Sequence, residues 1–439
     1  MPTPIAATEH LNKLKAFRQA AYEQLGPSRD ALFELTDAIL LTPAINSFAE
    51  LSLCPAFRRR WPSLYETVQD GQPDRLALLG QYLRELPLAQ RLILMGDHTA
   101  WPRLKAKTLR DRTVEHQPNS IPGARPITVG QGYSTLAWVP EAHGSWALPL
   151  LHERISSAET PIEKAAAQLR TVCEHLPVPA ARPLALFDAE YGCAPFVNAS
   201  ADLACDKLFR LRSNLCLRGT PPPYRGRGRP AKHGRKFKLN DARTWGKPLA
   251  DLQVEDLELG PMRLRLWAGF HFKKAAAHPL WIVRLERCQA QGTRRDPRAM
   301  WLGWLGDPPP PLSEWWKTYL RRFAGDHWYR FAKQSLHWTL PRFKTPEQAE
   351  HWSDLMPFVT WELWLARPLI ADKTLPWQKP MRQLSPGRVR QSLGAIFEQI
   401  GTPAQPPKPR GKSNGWPVGR PRSRAARYAV LKKARRRQS

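Results

Sequence analysis

Two short apolar runs that each end in an aspartate place the strongest constraint on the fold of this chain. Residues 90–99 read QRLILMGDHT, and residues 182–192 read RPLALFDAEYG. A short apolar run fits a strand buried on both faces, and a polar residue at its carboxyl end lies where α/β sheets place their sites. Asp97 and Asp188 are therefore candidate site residues. Strand alternation turns Glu190 to the same side as Asp188, so Glu190 stays open as a rival.

A third acidic candidate lies in the amphipathic stretch of residues 315–338, WWKTYLRRFAGDHWYRFAKQSLHW. On a helix of about 100° per residue, four polar residues fall within roughly 60° of one another, in a stripe about four turns long. They are Tyr319, Arg322, Asp326 and Lys333. A carboxylate with basic groups a turn or more to either side suits a divalent metal held beside a phosphate. Ordinary i,i+4 and i,i+7 charges on an amphipathic helix are the alternative interpretation.

The spacing Tyr-x2-Arg-x3-acid-x6-Lys resembles the YREK signature of cut-and-paste transposases of bacterial insertion sequences, the DDE group with a β-rich insertion. The Asp188 segment resembles the second-acid motif of the same group, an Asp followed closely by Tyr-Gly or Phe-Gly. The family has Glu where this chain has Asp326, whose carboxylate reaches one methylene less far. The resemblance implies a ribonuclease-H-like fold with two Mg²⁺ or Mn²⁺ ions held by three acids. These would be Asp97, Asp188 and Asp326, with Tyr319, Arg322 and Lys333 holding the DNA backbone.

The same resemblance implies metal-dependent cleavage at insertion-sequence ends, followed by strand transfer of the 3′-hydroxyls into target DNA. The partners would be double-stranded DNA, at the element ends and at the target, and a second copy of the chain when two ends are synapsed. A non-transposing nuclease on the same fold and a catalytically inactive, transposase-derived DNA-binding protein are the alternatives. Glu347 and Glu362 are rival third acids outside the signature spacing.

Composition agrees with a nucleic-acid partner. The 439 residues carry a formal charge of +29, which implies a polyanion. No apolar run reaches the roughly 18 residues of a membrane span, so DNA is favoured over a membrane. The six cysteines include no CxxC pair, which argues against a zinc finger or a disulfide framework. No signal peptide is recognisable, and we expect a cytoplasmic, nucleoid-associated bacterial protein.

We expect an α/β protein in five parts. Residues 1–88 read as helical and would form a DNA-binding domain, although a merely packed helical bundle also fits. Residues 89–218 and 312–402 would form the ribonuclease-H-like mixed sheet and its helical second part. Residues 219–311 are too many for a plain loop and carry strand patterns, which predicts a β-rich insertion. Residues 403–439 contain twelve Lys or Arg from position 405 onward and no acid, which predicts a disordered basic tail.

The insertion contains further candidate DNA contacts. Residues 227–230, Arg-Gly-Arg-Pro, resemble the core of an AT-hook, in which Arg227 and Arg229 would lie in the minor groove of A·T-rich DNA. A basic loop that contacts phosphates without sequence preference is the alternative. Trp301 or Trp304 is a candidate to stack on a displaced base, against the more common role of strand tryptophans in a core.

Overall fold

The computed structural model describes residues 4–116, 126–224, 226, 228–256, 260–288, 299–372, 374, 376–381, 383–409, 415, 417–421 and 424–433. Within them the helices are α1 (Pro4–Glu23), α2 (Arg29–Leu41), α3 (Pro62–Asp70), α4 (Arg75–Arg84), α5 (Pro161–His175), α6 (Ala194–Ser200), α7 (Leu312–Leu320), α8 (Phe323–Gln334), α9 (Pro346–Ala366), α10 (Pro386–Gln391) and α11 (Gly394–Ile400). None of these helices is long and apolar enough to cross a lipid bilayer.

The strands are β1 (Ile93–Pro102), β2 (Thr113–His116), β3 (Ile127–Trp138), β4 (Leu148–Ile155), β5 (Leu184–Phe187), β6 (Asp206–Leu211), β7 (Cys216–Arg218), β8 (Lys236–Lys238), β9 (Ala250–Asp256), β10 (Gly260–Phe270), β11 (Leu280–Arg287) and β12 (Met300–Leu305). Both apolar runs that end in aspartate are strands, β1 and β5. Three predicted strands of the insertion are also present, as β10, β11 and β12.

One large mixed sheet organises the molecule. Its order is β2-β3-β1-β5-β6-β12-β11-β10-β9, and β4 also pairs with β3. β1, β5 and β6 run parallel, whereas β12 pairs antiparallel with β6 and joins the insertion strands to the same sheet. This mixed α/β architecture is consistent with a ribonuclease-H-like domain. β7 and β8 form a separate two-stranded sheet.

The stretch of residues 315–338 is two helices rather than the single helix expected. α7 ends at Leu320 and α8 begins at Phe323. Between them the backbone tightens: the Arg322 N–H donates to the Tyr319 carbonyl, and the Gly325 N–H donates to the Arg322 carbonyl. Such i→i−3 bonds form a 3₁₀-type turn. Arg322 therefore lies at a junction and not on a continuous stripe.

The N-terminal helices pack on α9. Phe17 of α1 stacks on Phe358 with ring centroids 6.0 Å apart, and Phe33 of α2 lies 5.9 Å from the same ring. The buried Arg18 guanidinium forms an ion pair with Asp37 and donates a hydrogen bond to Glu362 of α9. The helical character predicted for this region is present, and its predicted DNA-binding role stays a prediction.

Part of the C-terminal tail belongs to the fold. Leu431 forms a parallel bridge with Thr113 at the edge of β2, and the Leu431 N–H donates to the Arg112 carbonyl over 2.8 Å. The prediction of a disordered tail is therefore wrong for residues 424–433. Composition indicated that this segment cannot fold alone, but the unpaired edge of β2 supplies the hydrogen-bond partners.

Candidate active site

Asp97 and Asp188 are brought together by adjacent parallel strands. In the register of β1 and β5, Gly96 lies opposite Phe187, so Asp97 and Asp188 occupy the next position on each strand. Strand pairing places neighbouring backbones about 4.8 Å apart. The two aspartates consequently lie side by side, with Asp188 directly after β5 and Asp97 inside β1, which continues to Pro102. The prediction that Asp97 ends its strand is therefore wrong, because β3 goes on pairing with β1 beyond this residue.

Asp97 is buried, and both of its carboxylate oxygens accept hydrogen bonds. One carboxylate oxygen accepts the His98 backbone N–H over 2.8 Å, and the other accepts the Arg322 guanidinium over 3.0 Å. Burial raises the pKa of Asp97 to about 6, Arg322 opposes this rise, and the negative charge of Asp188 adds to it. A buried carboxylate beside a second carboxylate favours a cation between them.

Arg322 supplies such a cation. Its guanidinium lies 3.0 Å from Asp97 and 3.6 Å from Asp326, and it is buried at the α7–α8 junction. Burial alone would lower the pKa of Arg322, but the charge of Asp97 and smaller contributions from Tyr319, Asp326 and Asp188 raise it. The structure thus places Arg322 in contact with Asp97 and Asp326, and the charge of Asp188 acts on the same guanidinium.

Tyr319 and Lys333 lie on either side of this cluster. Burial raises the pKa of Tyr319, Arg322 opposes the rise, and the Asp188 charge adds to it. Further along α8, the Lys333 ammonium donates to Thr99 Oγ1 of β1 over 2.7 Å. Burial lowers the pKa of Lys333 to about 8.

With this geometry in place, comparison with protein families identifies the chain. A family model described as DDE superfamily endonuclease matches residues 21–263, more than half of the sequence. The chain belongs to this family. The matched residues include Asp97 and Asp188 and end before Asp326. No curated protein matches the chain.

DDE superfamily endonucleases generally depend on divalent metals, so we tested whether the residues of this chain fit such an ion. The donor types fit, because carboxylate oxygens are the ligands that Mg²⁺ and Mn²⁺ prefer. Burial is the main cause of the raised Asp97 pKa, and the negative charge of Asp188 adds to it, so a dication between the two carboxylates would offset their repulsion. Among the described residues, however, no three Asp, Glu, His or Cys side chains already form a metal-binding group. Arg322 occupies the space between the Asp97 and Asp326 carboxylates.

The rival acids of this DDE endonuclease have other partners. Glu347 forms an exposed ion pair with Arg110 at 3.0 Å, and Glu362 is fully buried against Arg18. Glu190 is closer to the cluster, with its carboxylate 3.8 Å from His98 Nε2. The Glu190 N–H also donates to Asp188, which fixes that aspartate after β5.

Two residues that sequence reasoning missed support the cluster. The Tyr329 hydroxyl, one turn after Asp326, lies 2.9 Å from the Asp97 carbonyl oxygen and 2.9 Å from Thr135 Oγ1. His98 Nδ1 lies 3.1 Å from the Tyr191 hydroxyl. The i+3 spacing from Asp326 to Tyr329 was a usable signal, because residues three apart share a helix face. His98 had no comparable signal.

The other predicted DNA contacts are less well placed or lie outside the described residues. Trp301 and Trp304 are 3% and 1% exposed, and Trp301 packs in a cluster with Trp245 and Trp267. Their prediction as base-stacking residues is wrong for this conformation, because apolar burial competes with exposure. Arg229 is exposed, as a DNA contact requires, and Arg227 lies outside the described residues.

Proposed function

We propose that this DDE endonuclease is a DNA transposase, which cleaves DNA at the ends of an insertion sequence and transfers the 3′-hydroxyls to target DNA. The observation that carries the proposal is the Arg322 guanidinium held between Asp97 and Asp326, with the Asp188 charge beside them. This arrangement joins Asp97 and Asp188 of the sheet to α7 and α8, which together carry the Tyr-Arg-acid-Lys spacing.

Asp97, Asp188 and Asp326 would hold Mg²⁺ or Mn²⁺, as two ions. When bound, such ions activate a water or a 3′-hydroxyl and stabilise the leaving oxygen of the scissile phosphate. The chain's own contribution is positioning and charge neutralisation. The His98 N–H fixes the orientation of the Asp97 carboxylate, and the Glu190 N–H fixes that of Asp188.

The basic residues of the cluster would bind the DNA backbone. A guanidinium pairs equally well with carboxylate and phosphate oxygens, so Arg322 is placed to exchange its carboxylate partners for a phosphate. Lys333 is held near the same strand by Thr99 and adds a point charge. The exchange would free one Asp97 oxygen, which is otherwise engaged by Arg322.

Strand transfer needs two element ends in one complex, which supports a homodimer assembled on DNA. The charge of +29 supports tight binding to duplex DNA through its phosphates. Such an enzyme would act on the bacterial nucleoid in the cytoplasm.

A catalytically inactive DNA-binding protein is the second candidate, and one observation favours it. The side chain of Asp326, one methylene shorter than the family's Glu, is 49% exposed and lies 3.6 Å from Arg322. A short third acid weakens the hold on a metal ion without affecting the basic surfaces.

The decisive experiment measures Mg²⁺- or Mn²⁺-dependent cleavage of the duplex that carries the element's own ends. We expect cleavage by the parent, none with EDTA, and a loss of at least about a hundredfold in Asp188→Asn. Asp251→Asn removes the same charge from an exposed pair with Arg263 on β9 and should cleave like the parent. Cleavage without joining of the 3′-ends to target DNA would indicate a nuclease.

Tight binding with no cleavage by the parent under either metal would reject the transposase proposal. The variant Asp326→Glu then distinguishes two causes of the missing cleavage. If this variant cleaves DNA, the parent is inactive only because its third acid is too short. If this variant does not cleave DNA either, the protein acts only by binding DNA.

A further inference from the structure

The C-terminal segment of residues 424–433 lies against the edge of the catalytic sheet, where Leu431 forms an isolated parallel bridge with Thr113. The Tyr428 N–H donates to the Lys107 carbonyl over 2.9 Å, and the Leu431 N–H donates to the Arg112 carbonyl over 2.8 Å. In return, the Arg112 guanidinium donates to the Tyr428 carbonyl over 3.1 Å. These three hydrogen bonds hold the segment at the sheet edge.

An ion pair with a buried glutamate holds the end of the segment in place. Lys433 Nζ lies 2.8 and 2.9 Å from the two carboxylate oxygens of Glu115, which is only 5% exposed on β2. The Thr113 hydroxyl donates to the same carboxylate. Gly132 of β3 makes room for it, because a Cβ there would lie 2.9 Å from Glu115 Oε2. The sheet therefore contains a built acceptor for one lysine of the tail.

The other basic residues of segment 424–433 lie next to the basic loop between β1 and β2. Arg424, Arg427 and Lys432 are exposed, and so are Lys105 and Lys107 of the loop between β1 and β2. Within the part of the chain that the structure describes, these five make no ion pair with an acid. The nearby acids form ion pairs with other basic residues: Glu115 with Lys433, Asp111 with Arg154, and Glu347 with Arg110.

We propose that residues 424–433 are an anchor, which turns the basic tail into a fixed DNA-binding surface together with the loop of residues 103–112. The partner is duplex DNA outside the cleavage site. β1 runs from Asp97 toward this loop, and six residues of strand span about 20 Å, which corresponds to roughly 6 base pairs. The DNA contact rests on the proposed function, whereas the anchoring does not.

Hydrogen exchange tests the anchor on the full chain without DNA. Lys433→Met leaves Glu115 buried without its cation, so the Tyr428 and Leu431 amides should exchange about a hundredfold faster. Lys432→Met is the matched control, because it removes the same charge from an exposed neighbour and should leave both amides protected. Equal exchange in the parent and both variants, or unprotected amides in the parent, would overturn the anchor.

Photocrosslinking tests the DNA surface. A benzoylphenylalanine placed at the exposed Ala429 should crosslink to an end-bearing duplex within a window of a few base pairs, roughly 6 base pairs from the cleavage position. Lys432→Met removes one cation of the surface but leaves the segment in place, so it should lower the crosslink yield and keep that window. Lys433→Met should spread the crosslinks over the duplex. The proposed DNA-binding surface would be wrong if both variants gave the same distribution of crosslinks. It would also be wrong if a protein that still cleaves the duplex gave no crosslink. If the Tyr428 and Leu431 amides are protected but the protein binds no DNA, the proposed function is wrong and the anchoring of residues 424–433 still holds.

Discussion

Gly96 and Phe187 set the spacing of the two strands that carry Asp97 and Asp188. A Cβ added at Gly96 would overlap Phe187 Cε1 and lie 2.7 Å from Cδ1 and 2.9 Å from Cζ. The Phe187 ring is fully buried, with Phe196 4.5 Å away between ring centroids, so it has little room to withdraw. Overpacking of this kind costs about 1–3 kcal/mol. Because the ring is enclosed, we expect the upper end, about 3 kcal/mol, for Gly96→Ala.

The same substitution should impair the site, because the displaced strands position Asp97 and Asp188, the proposed metal-binding acids. A shift of about 1 Å in catalytic groups can cost a hundredfold in rate, so we expect cleavage to fall by at least about tenfold. Stability is measured by urea denaturation and activity by cleavage of the end duplex. Gly80→Ala is the control: nothing lies within 4 Å of its added Cβ, and alanine in helix α4 should stabilise slightly.

A double mutant separates steric overlap from a general loss of stability. Phe187→Leu removes the ring atoms that the new methyl group of Gly96→Ala would meet, so it should reduce the cost of that substitution by about 1 kcal/mol or more. If Gly96→Ala is as stable as the parent, or if Phe187→Leu leaves its cost unchanged, the close packing of these strands does not govern the site.

Two further predictions concern pH. Lys333, whose pKa burial lowers to about 8, binds phosphate only when charged, so affinity for the end duplex should fall as pH rises from 7 to 9. Lys333→Arg should abolish this fall, and a parent affinity constant over that range would contradict the assignment. Burial raises the pKa of Glu362 from 4.5 to about 8, against the pull of Arg18. The folded protein then keeps a proton that the unfolded chain releases, so its free energy of unfolding should decrease from pH 5 to 8, by up to about 1.4 kcal/mol per unit. Glu362→Gln should flatten this dependence in urea denaturation, and an unchanged slope would refute it.

The side-by-side position of Asp97 and Asp188 could be predicted because their signal is local, although β1 continues past Asp97 to Pro102. An apolar run of strand length followed by Asp needs no distant contact to be recognised, and parallel pairing of two such runs brings their ends together. The capped start of α5 was equally readable: Thr160 and Glu163 form the capping box that their spacing predicts.

Other features could not be predicted because they depend on contacts between distant residues. The turn between α7 and α8 places Arg322 against Asp97, which is 225 positions away in the sequence. Trp301 is an ordinary strand residue until β8, β10 and the segment around Trp245 enclose it. The tail segment has too little apolar surface to fold alone, and only the edge of β2 with its buried Glu115 gives it a place.

The residue before the third acid connects these observations. Gly325 packs directly on Met95 of β1, and a Cβ at Gly325 would overlap the Met95 methyl group and lie 2.9 Å from its sulfur. Glycine therefore lets α8 approach the sheet more closely than any other residue would at that position. A shorter acid needs such an approach, because Asp326 reaches one methylene less far than Glu. The pair Gly325-Asp326 is thus consistent with a site that brings its third carboxylate toward Asp97 of β1 by moving the helix toward the sheet, and Arg322, four residues before Asp326, moves with it.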